Sequence, residues 1–229
     1  MNPTLLDLMR RVDTPTICNA IEVAQGTRGF DAYTRGTMLC SAPGEVMVGY
    51  ARTAKIMARV PPIASPAEIR KRRMAYYRYM SEGARPAVCV IEDMDFPNAV
   101  GAFWGEINTN VHKAFGLSGT LTNGVMRDLG DLPEGYPVVA GSVGPSHAFV
   151  HVLDFDTPVT VFGLKVTPGA LVHADRHGAV VVPDDVIPQL EAAIRKLIET
   201  ERIVLDAASG PLDFDSFEAA WTAFEAART

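Results

Sequence analysis

Glu106 and the pair Arg127-Asp128 stand with twenty residues between them, and Asp131 follows after two more. A carboxylate beside a guanidinium can hold a hard divalent cation while the arginine stabilises an anionic oxygen on whatever the metal polarises. Just upstream of the pair lies the glycine-containing Leu121-Thr122-Asn123-Gly124, and Gly101-Ala102-Phe103-Trp104-Gly105 leads into Glu106. That second stretch reads as a loop feeding a helix N-terminus. The amides from Gly105 through Ile107 to Asn108 are then unpaired donors at the positive end of a helix, a dock for a small carboxylate. Ser118 to Thr122 reads as a strand whose end delivers Asn123-Gly124 and turns the chain to present Arg127 and Asp128. Helix start and strand end converge on one cleft, and the chemistry this allows is stabilisation of an anionic oxygen, a lyase-like constellation.

The elements that must position these groups follow from periodicity. Leu5, Leu6, Met9 and Val12 recur at helical spacing, and Thr14-Pro15 reads as the cap and first-turn proline of a second helix ended by Gly26 and Gly29. From Glu45 to Arg59 apolar residues alternate with a change of phase at Ala51, which predicts two strands or one bulged strand. Ser65-Pro66 opens a third helix, and Ala87-Val88-Cys89-Val90-Ile91 is a short buried strand with acids at its C-terminal end. After Pro137 short strands alternate with Gly and Pro turns up to Val182. A long helix from Asp184 and a second with Phe214, Phe217, Trp221 and Phe224 close the chain.

Composition narrows the class. A chain of 229 residues can bury a sizeable core, and its charge of 21 minus 27, or −6, disfavours broad attraction to nucleic acid or anionic membrane. Cys18, Cys40 and Cys89 form no disulfide framework and no zinc ribbon, which points to a reducing cytoplasm. The N-terminal stretch, interrupted by Asp7, does not read as an export signal, and no run reaches membrane-spanning length.

In this order and spacing the motif resembles that of the regulator-of-ribonuclease-activity A superfamily, which includes metal-dependent 4-hydroxy-4-methyl-2-oxoglutarate aldolases and oxaloacetate decarboxylases. The family pattern is an acid, twenty residues, Arg-Asp, two residues, then Glu or Asp, met here by Glu106, Arg127, Asp128 and Asp131. Pro158 to Gly163, Pro168 to Asp175 and Gly178 to Pro183 extend the likeness, which runs from about Thr14 to Pro183. It implies an α/β fold, a layered αββα sandwich resembling the swivelling β/β/α domain. Residues 1–183 would carry the site, and residues 184–229 would be a helical extension whose helices pack on neighbouring subunits of a homotrimer or homohexamer. By resemblance, Asp128 ligates Mg²⁺ or Mn²⁺ directly. Glu106, and Glu199 or Glu201 from a neighbour, act through metal-bound water. Arg127 steadies the enolate of a small 2-oxo acid, and Asn123, His147 and His151 lie near its distal group. Most family aldolases carry Asp where Glu106 stands.

Other readings attach to the same residues. Arg127-Asp128 fits a surface ion pair, and Glu106 fits an acid complementing a helix dipole. His173, Asp175 and His177 alternate as zinc ligands would, although the segment also reads as a turn. Arg70 to Arg73 with Tyr76, Tyr77 and Tyr79 suggests either an RNA patch or, by default, a solvated helix face. The resemblance also admits a non-catalytic regulator of an RNA-processing enzyme, or another metal-dependent lyase such as a dehydratase.

Overall fold

The structure, a computed structural model, describes residues 2–228. Asn2 and Asp13 cap α1 (Pro3–Arg10) and α2 (Thr14–Gln25), each side chain accepting a backbone N–H of the first turn, with a proline next where no donor is needed. The α2 cap is therefore Asp13, one residue before the expected Thr14, whose own N–H donates to Asp175. Gly26, at φ 66°, ends the helix in the left-handed conformation that glycine adopts without strain. After the short β1 (Leu39–Cys40) comes β2 (Met47–Met57), largely buried on both faces. It is a single strand with no break at Ala51; its irregularity lies between Lys55 and Ile56. The capping box of Ser65 and Glu68 starts α3 (Pro66–Ser81).

The segment that builds the site runs β3 (Ala87–Asp93), β4 (Ala102–Trp104), α4 (Glu106–Ala114), β5 (Leu117–Thr122), β6 (Val125–Met126), β7 (Val138–Ala140) and β8 (Ser142–Val143). There follow β9 (His151–Phe155), the hairpin of β10 (Val159–Val161) and β11 (Leu164–Val166), and the hairpin of β12 (Leu171–Asp175) and β13 (Gly178–Val182). Two helices, α5 (Ile187–Ala207) and α6 (Phe214–Arg228), end the fold.

The main sheet has the order β1-β7-β5-β3-β2-β12-β13, with β9 also paired to β2. Its centre, β2-β3-β5-β7, is parallel, so those strands deliver their C-terminal ends to the same side, where α/β sheets place ligands. One face is covered by helices. On it α3 packs Tyr76, Tyr79 and Met80 against Ala54, Ile56 and Ile91, while Leu5, Met9, Ile17 and Ile21 of α1 and α2 pack near Val48 and Leu171. The other face, with Met47, Ala51, Val88 and Val90, is covered by the β10-β11 hairpin. This layered α/β arrangement is the fold class the sequence implies.

Helix α5 buries Leu190, Ala193, Ile194 and Leu197 in the same core as α1 and α2 of its own chain. Its apolar stripe is therefore satisfied within the subunit, and it is α6 that carries an exposed aromatic row, with Phe214 70% and Trp221 43% exposed.

Candidate functional site

A small parallel sheet, β4-β6-β8, brings the two halves of the motif together. Trp104 pairs with Met126, and the N–H of Arg127 donates to the carbonyl of Trp104 at 2.7 Å, which sets Gly105 against Arg127. The expected loop before Glu106 thus contains a strand, β4. A Cβ on Gly105 would fall 2.5 Å from Asp128 Oδ2 and 2.9 Å from Arg127 Cγ, so only glycine lets helix and turn approach this closely. Asp128 sits at φ 57°, in the left-handed region that Asp tolerates better than most residues. Its Oδ2 accepts the N–H of Glu106 at 3.1 Å and lies 3.6 Å from Arg127 Nε. Both side chains of the pair remain about one-third exposed, at 34% and 31%. The turn continues with the Asp131 N–H donating to the Asp128 carbonyl, which makes Asp131 a turn-closing residue through its backbone.

Beside this junction lies a cleft of about 420 Å³. Gly105, Ile107, Asn108, Arg127 and His147, all expected at the site, line it together, as does His151. Glu106 and Asp128 are not in the lining; each is the chain neighbour of a residue that is, and they are joined by the Glu106 N–H bond to Asp128. Asn123 is not part of the lining. It is buried, and its amide group accepts the N–H of Asp93 at 2.6 Å and donates to the Asp93 carbonyl at 3.3 Å, bracing the ends of β3 and β5. Glu199 is an exposed residue of α5 and does not line the cleft of its own subunit.

His147 and His151 have settled tautomers. Each Nδ1 faces a backbone carbonyl, of Ala148 at 2.8 Å and of Phe149 at 2.7 Å, and a carbonyl can only accept. Nδ1 therefore carries the proton, and in the neutral ring Nε2 is an acceptor.

The sequence reading missed the contribution of α3. Ile69, Arg73 and Tyr77, spaced four apart on one helix face, line the cleft, while Tyr76 is fully buried. Tyr76 and Tyr77 latch α3 to α4. The His112 Nδ1–H donates to the Asn108 carbonyl at 2.6 Å, so its Nε2 accepts the Tyr76 hydroxyl at 2.7 Å. Burial pushes His112 down to about 4, which keeps the ring neutral. The Tyr77 hydroxyl donates to Asn108 Oδ1 at 2.7 Å, and Asn108 Nδ2 donates to the Phe103 carbonyl at 2.7 Å. The i, i+4 repeat was the available signal, hidden under the basic run.

The rival metal site is otherwise occupied. His173 is fully buried between the Thr14 hydroxyl and the Met9 carbonyl, and Asp175 accepts the N–H groups of Thr14 and His177. These contacts lock α1 and α2 onto β12. Among the described residues no three His, Cys, Asp or Glu side chains gather as a metal cage. Asp128, with Glu106 beside it, is a donor set of hard oxygens open to solvent. It fits a Mg²⁺-type ion, which keeps several waters and takes one or two carboxylates.

A family model described as RraA-like, Aldolase/RraA, matches residues 14–181. The chain belongs to the RraA-like family. It is 28% identical over 116 residues to Protein DlpA of Legionella pneumophila, a match covering 47% of this chain and only 18% of that much longer protein. Among solved structures, an uncharacterized protein from Pseudomonas syringae pv. tomato superposes with a TM-score of 0.74 at 24% identity, covering 97% of this chain and 94% of that one. RraAS2 of Streptomyces coelicolor, described as an unusual member of the RNase ES inhibitor RraA family, superposes with a TM-score of 0.66 at 23% identity, covering 92% and 98%. At these identities the structures establish the fold. The family itself holds both lyases and non-catalytic regulators. No helix among the described residues is long and apolar enough to cross a membrane.

Proposed function

We propose that this protein is a divalent-metal-dependent lyase that cleaves or decarboxylates a small 2-oxo acid through a pyruvate-like enolate. The observation that carries the reading is the Asp128 carboxylate, fixed by the Glu106 N–H beside Arg127, which lines a cleft together with the start of α4. A bound Mg²⁺ or Mn²⁺ would supply Lewis-acid polarisation of the substrate's oxygens. Asp128 would hold it directly, and Glu106 with an acid from a neighbouring subunit, Glu199, would support it through water. The first-turn amides of Ile107 and Asn108, which Asp128 leaves open, bind the substrate carboxylate, and Arg127 holds the oxygen on which negative charge grows as the carbon–carbon bond breaks. Gly105 admits the substrate close to the backbone. The α3–α4 latch keeps Asn108 and the helix start in register, a positioning role.

The test is pyruvate release from oxaloacetate and from 4-hydroxy-4-methyl-2-oxoglutarate with Mg²⁺ or Mn²⁺, corrected for spontaneous breakdown. Turnover abolished by chelation and by Asp128→Ala supports the lyase. Absence of turnover with both acids and both metals removes this substrate assignment and favours the binding role known elsewhere in the family. We propose a cytoplasmic homotrimer or homohexamer as the working assembly.

A further inference from the structure

The cleft is larger and more cationic than a four-carbon acid requires. Its volume of about 420 Å³ lies in the range of roughly 300–1,000 Å³ that accommodates drug-sized ligands. Among the described residues none of its lining side chains is an acid, whereas two arginines, Arg73 and Arg127, contribute. The two arginines come from different elements, Arg127 following β6 and Arg73 on α3. Arg73 is exposed, has no hydrogen bond or ion pair among the described residues, and is one turn of α3 from Tyr77 on the same cleft-lining face. Ile69, Phe103 and Phe149 line the same cleft, an apolar surface that a chain of two or three carbons would leave wet.

We propose that Arg73 is a specificity-determining residue: the substrate is a 2-oxo acid with an apolar, flat body and a second anionic group, and Arg73 binds that group. The inference rests on the lyase reading for the 2-oxo acid end, at Arg127 and the α4 amides. The body lies over Ile69 and the rings of Phe103 and Phe149. A guanidinium with no competing carboxylate in the cleft is free to make paired, charge-assisted hydrogen bonds to the distal acid. The i, i+4, i+8 spacing of Ile69, Arg73 and Tyr77 gives α3 one face on which apolar contact and charge recognition are combined.

The test is calorimetric titration of the whole protein with Mg²⁺ present, using phenylpyruvate and 4-carboxyphenylpyruvate, which differ only in the distal acid. The wild type is expected to prefer the diacid roughly tenfold, as one charge-assisted contact gives. In Arg73→Ala the ratio falls toward one, and in Arg72→Ala, which removes the same charge from α3 outside the cleft, it stays. A ratio near one in the wild type, a ratio unmoved by Arg73→Ala, or equal loss in both variants overturns the proposal. Oxalate, titrated with and without Mg²⁺, reports the other end alone. If its binding is metal-dependent while the ratio is one, only Arg73 recognition fails; if the ratio holds while oxalate ignores the metal, only the lyase reading fails.

Discussion

The backbone N–H of Glu106 donates to Oδ2 of Asp128 at 3.1 Å, tying the first turn of α4 to the turn after β6. One oxygen of Asp128 is thus spent on orientation, and the carboxylate is aimed before any ligand arrives. Gly105 makes the approach possible, because any side chain there would meet Asp128 Oδ2 at 2.5 Å. Gly105→Ala is therefore expected to displace both Arg127 and Asp128 while leaving the cores untouched. Misplacement on this scale costs about 10²-fold in turnover, with the circular dichroism spectrum unchanged. Activity within a few-fold of wild type would mean that the junction is not where the chemistry occurs.

Asp128→Asn separates charge from geometry. Asn tolerates the left-handed backbone at φ 57° and keeps an oxygen to accept the Glu106 N–H, so the turn survives. Metal-dependent turnover should fall by roughly 10²–10³-fold. A second readout is independent of activity: the rise in Tm that Mg²⁺ gives the wild type by binding the folded state should vanish in the variant. Persistence of that rise would locate the metal elsewhere.

The fold was legible where local chemistry decides it. Asp13 and Ser65 act as caps within one residue of the expected positions, and the apolar run of β3 is a central parallel strand. What the sequence could not show is which partner a polar group finds. Asn123 sits in the motif but is consumed by Asp93, thirty residues away, and His173 is consumed by Met9 and Thr14. Arg73 was read as one of four solvated cations, because a helix face is defined by what packs opposite it, and the cleft is built by β4, α4 and the 147–151 loop. The juxtaposition of Glu106, Arg127 and Asp128 was readable for the opposite reason: they are joined by backbone geometry that the intervening strands enforce.

Asp93 and His112 give opposing pH dependences. Asp93 is buried with Oδ2 unpartnered among the described residues, and burial, with the nearby charge of Asp95, pushes its carboxyl from 3.8 up to about 6. Between those values the folded state holds a proton that the unfolded chain has released, so this group lowers stability as pH rises from about 4 to 6. His112, pushed from 6.5 to about 4, does the reverse: its contribution is present above 6.5 and lost as pH falls toward 4. The two slopes offset in the wild type. Asp93→Asn should raise Tm by about 2–4 °C at pH 8, match the wild type near pH 4, and expose a decline between pH 6.5 and 4. Parallel Tm curves for the two proteins would overturn the assignment to Asp93.

Tyr76→Phe tests the latch between α3 and α4. The ring stays packed, but Nε2 of His112 loses its donor in a site that water does not reach, both residues being fully buried. An unsatisfied buried acceptor costs about 1–3 kcal/mol, readable as a lower urea midpoint with an unchanged m-value. Because Asn108 is held from the same network, KM should rise more than kcat falls. A neutral substitution would show that packing alone holds the helices together.

The assembly prediction turns on the distance between two acids in the fold. Asp128 follows β6, beside the cleft-lining Arg127, whereas Glu199 is on α5, whose buried face packs against α1 and α2. Glu199 does not line the cleft of its own subunit, so the proposed mechanism has it come from a neighbour, and the exposed Phe214 and Trp221 of α6 offer apolar surface for that contact. Asp128→Asn and Glu199→Gln should each be inactive or nearly so when pure. Unfolded together, mixed and refolded, they should regain about one quarter of wild-type activity, since in a closed ring each site draws its two acids independently from adjacent subunits. If the acids came from the same subunit, or if Glu199 had no role, mixing would yield only the average of the two pure variants. Light scattering on the same samples separates that outcome from a failure to assemble.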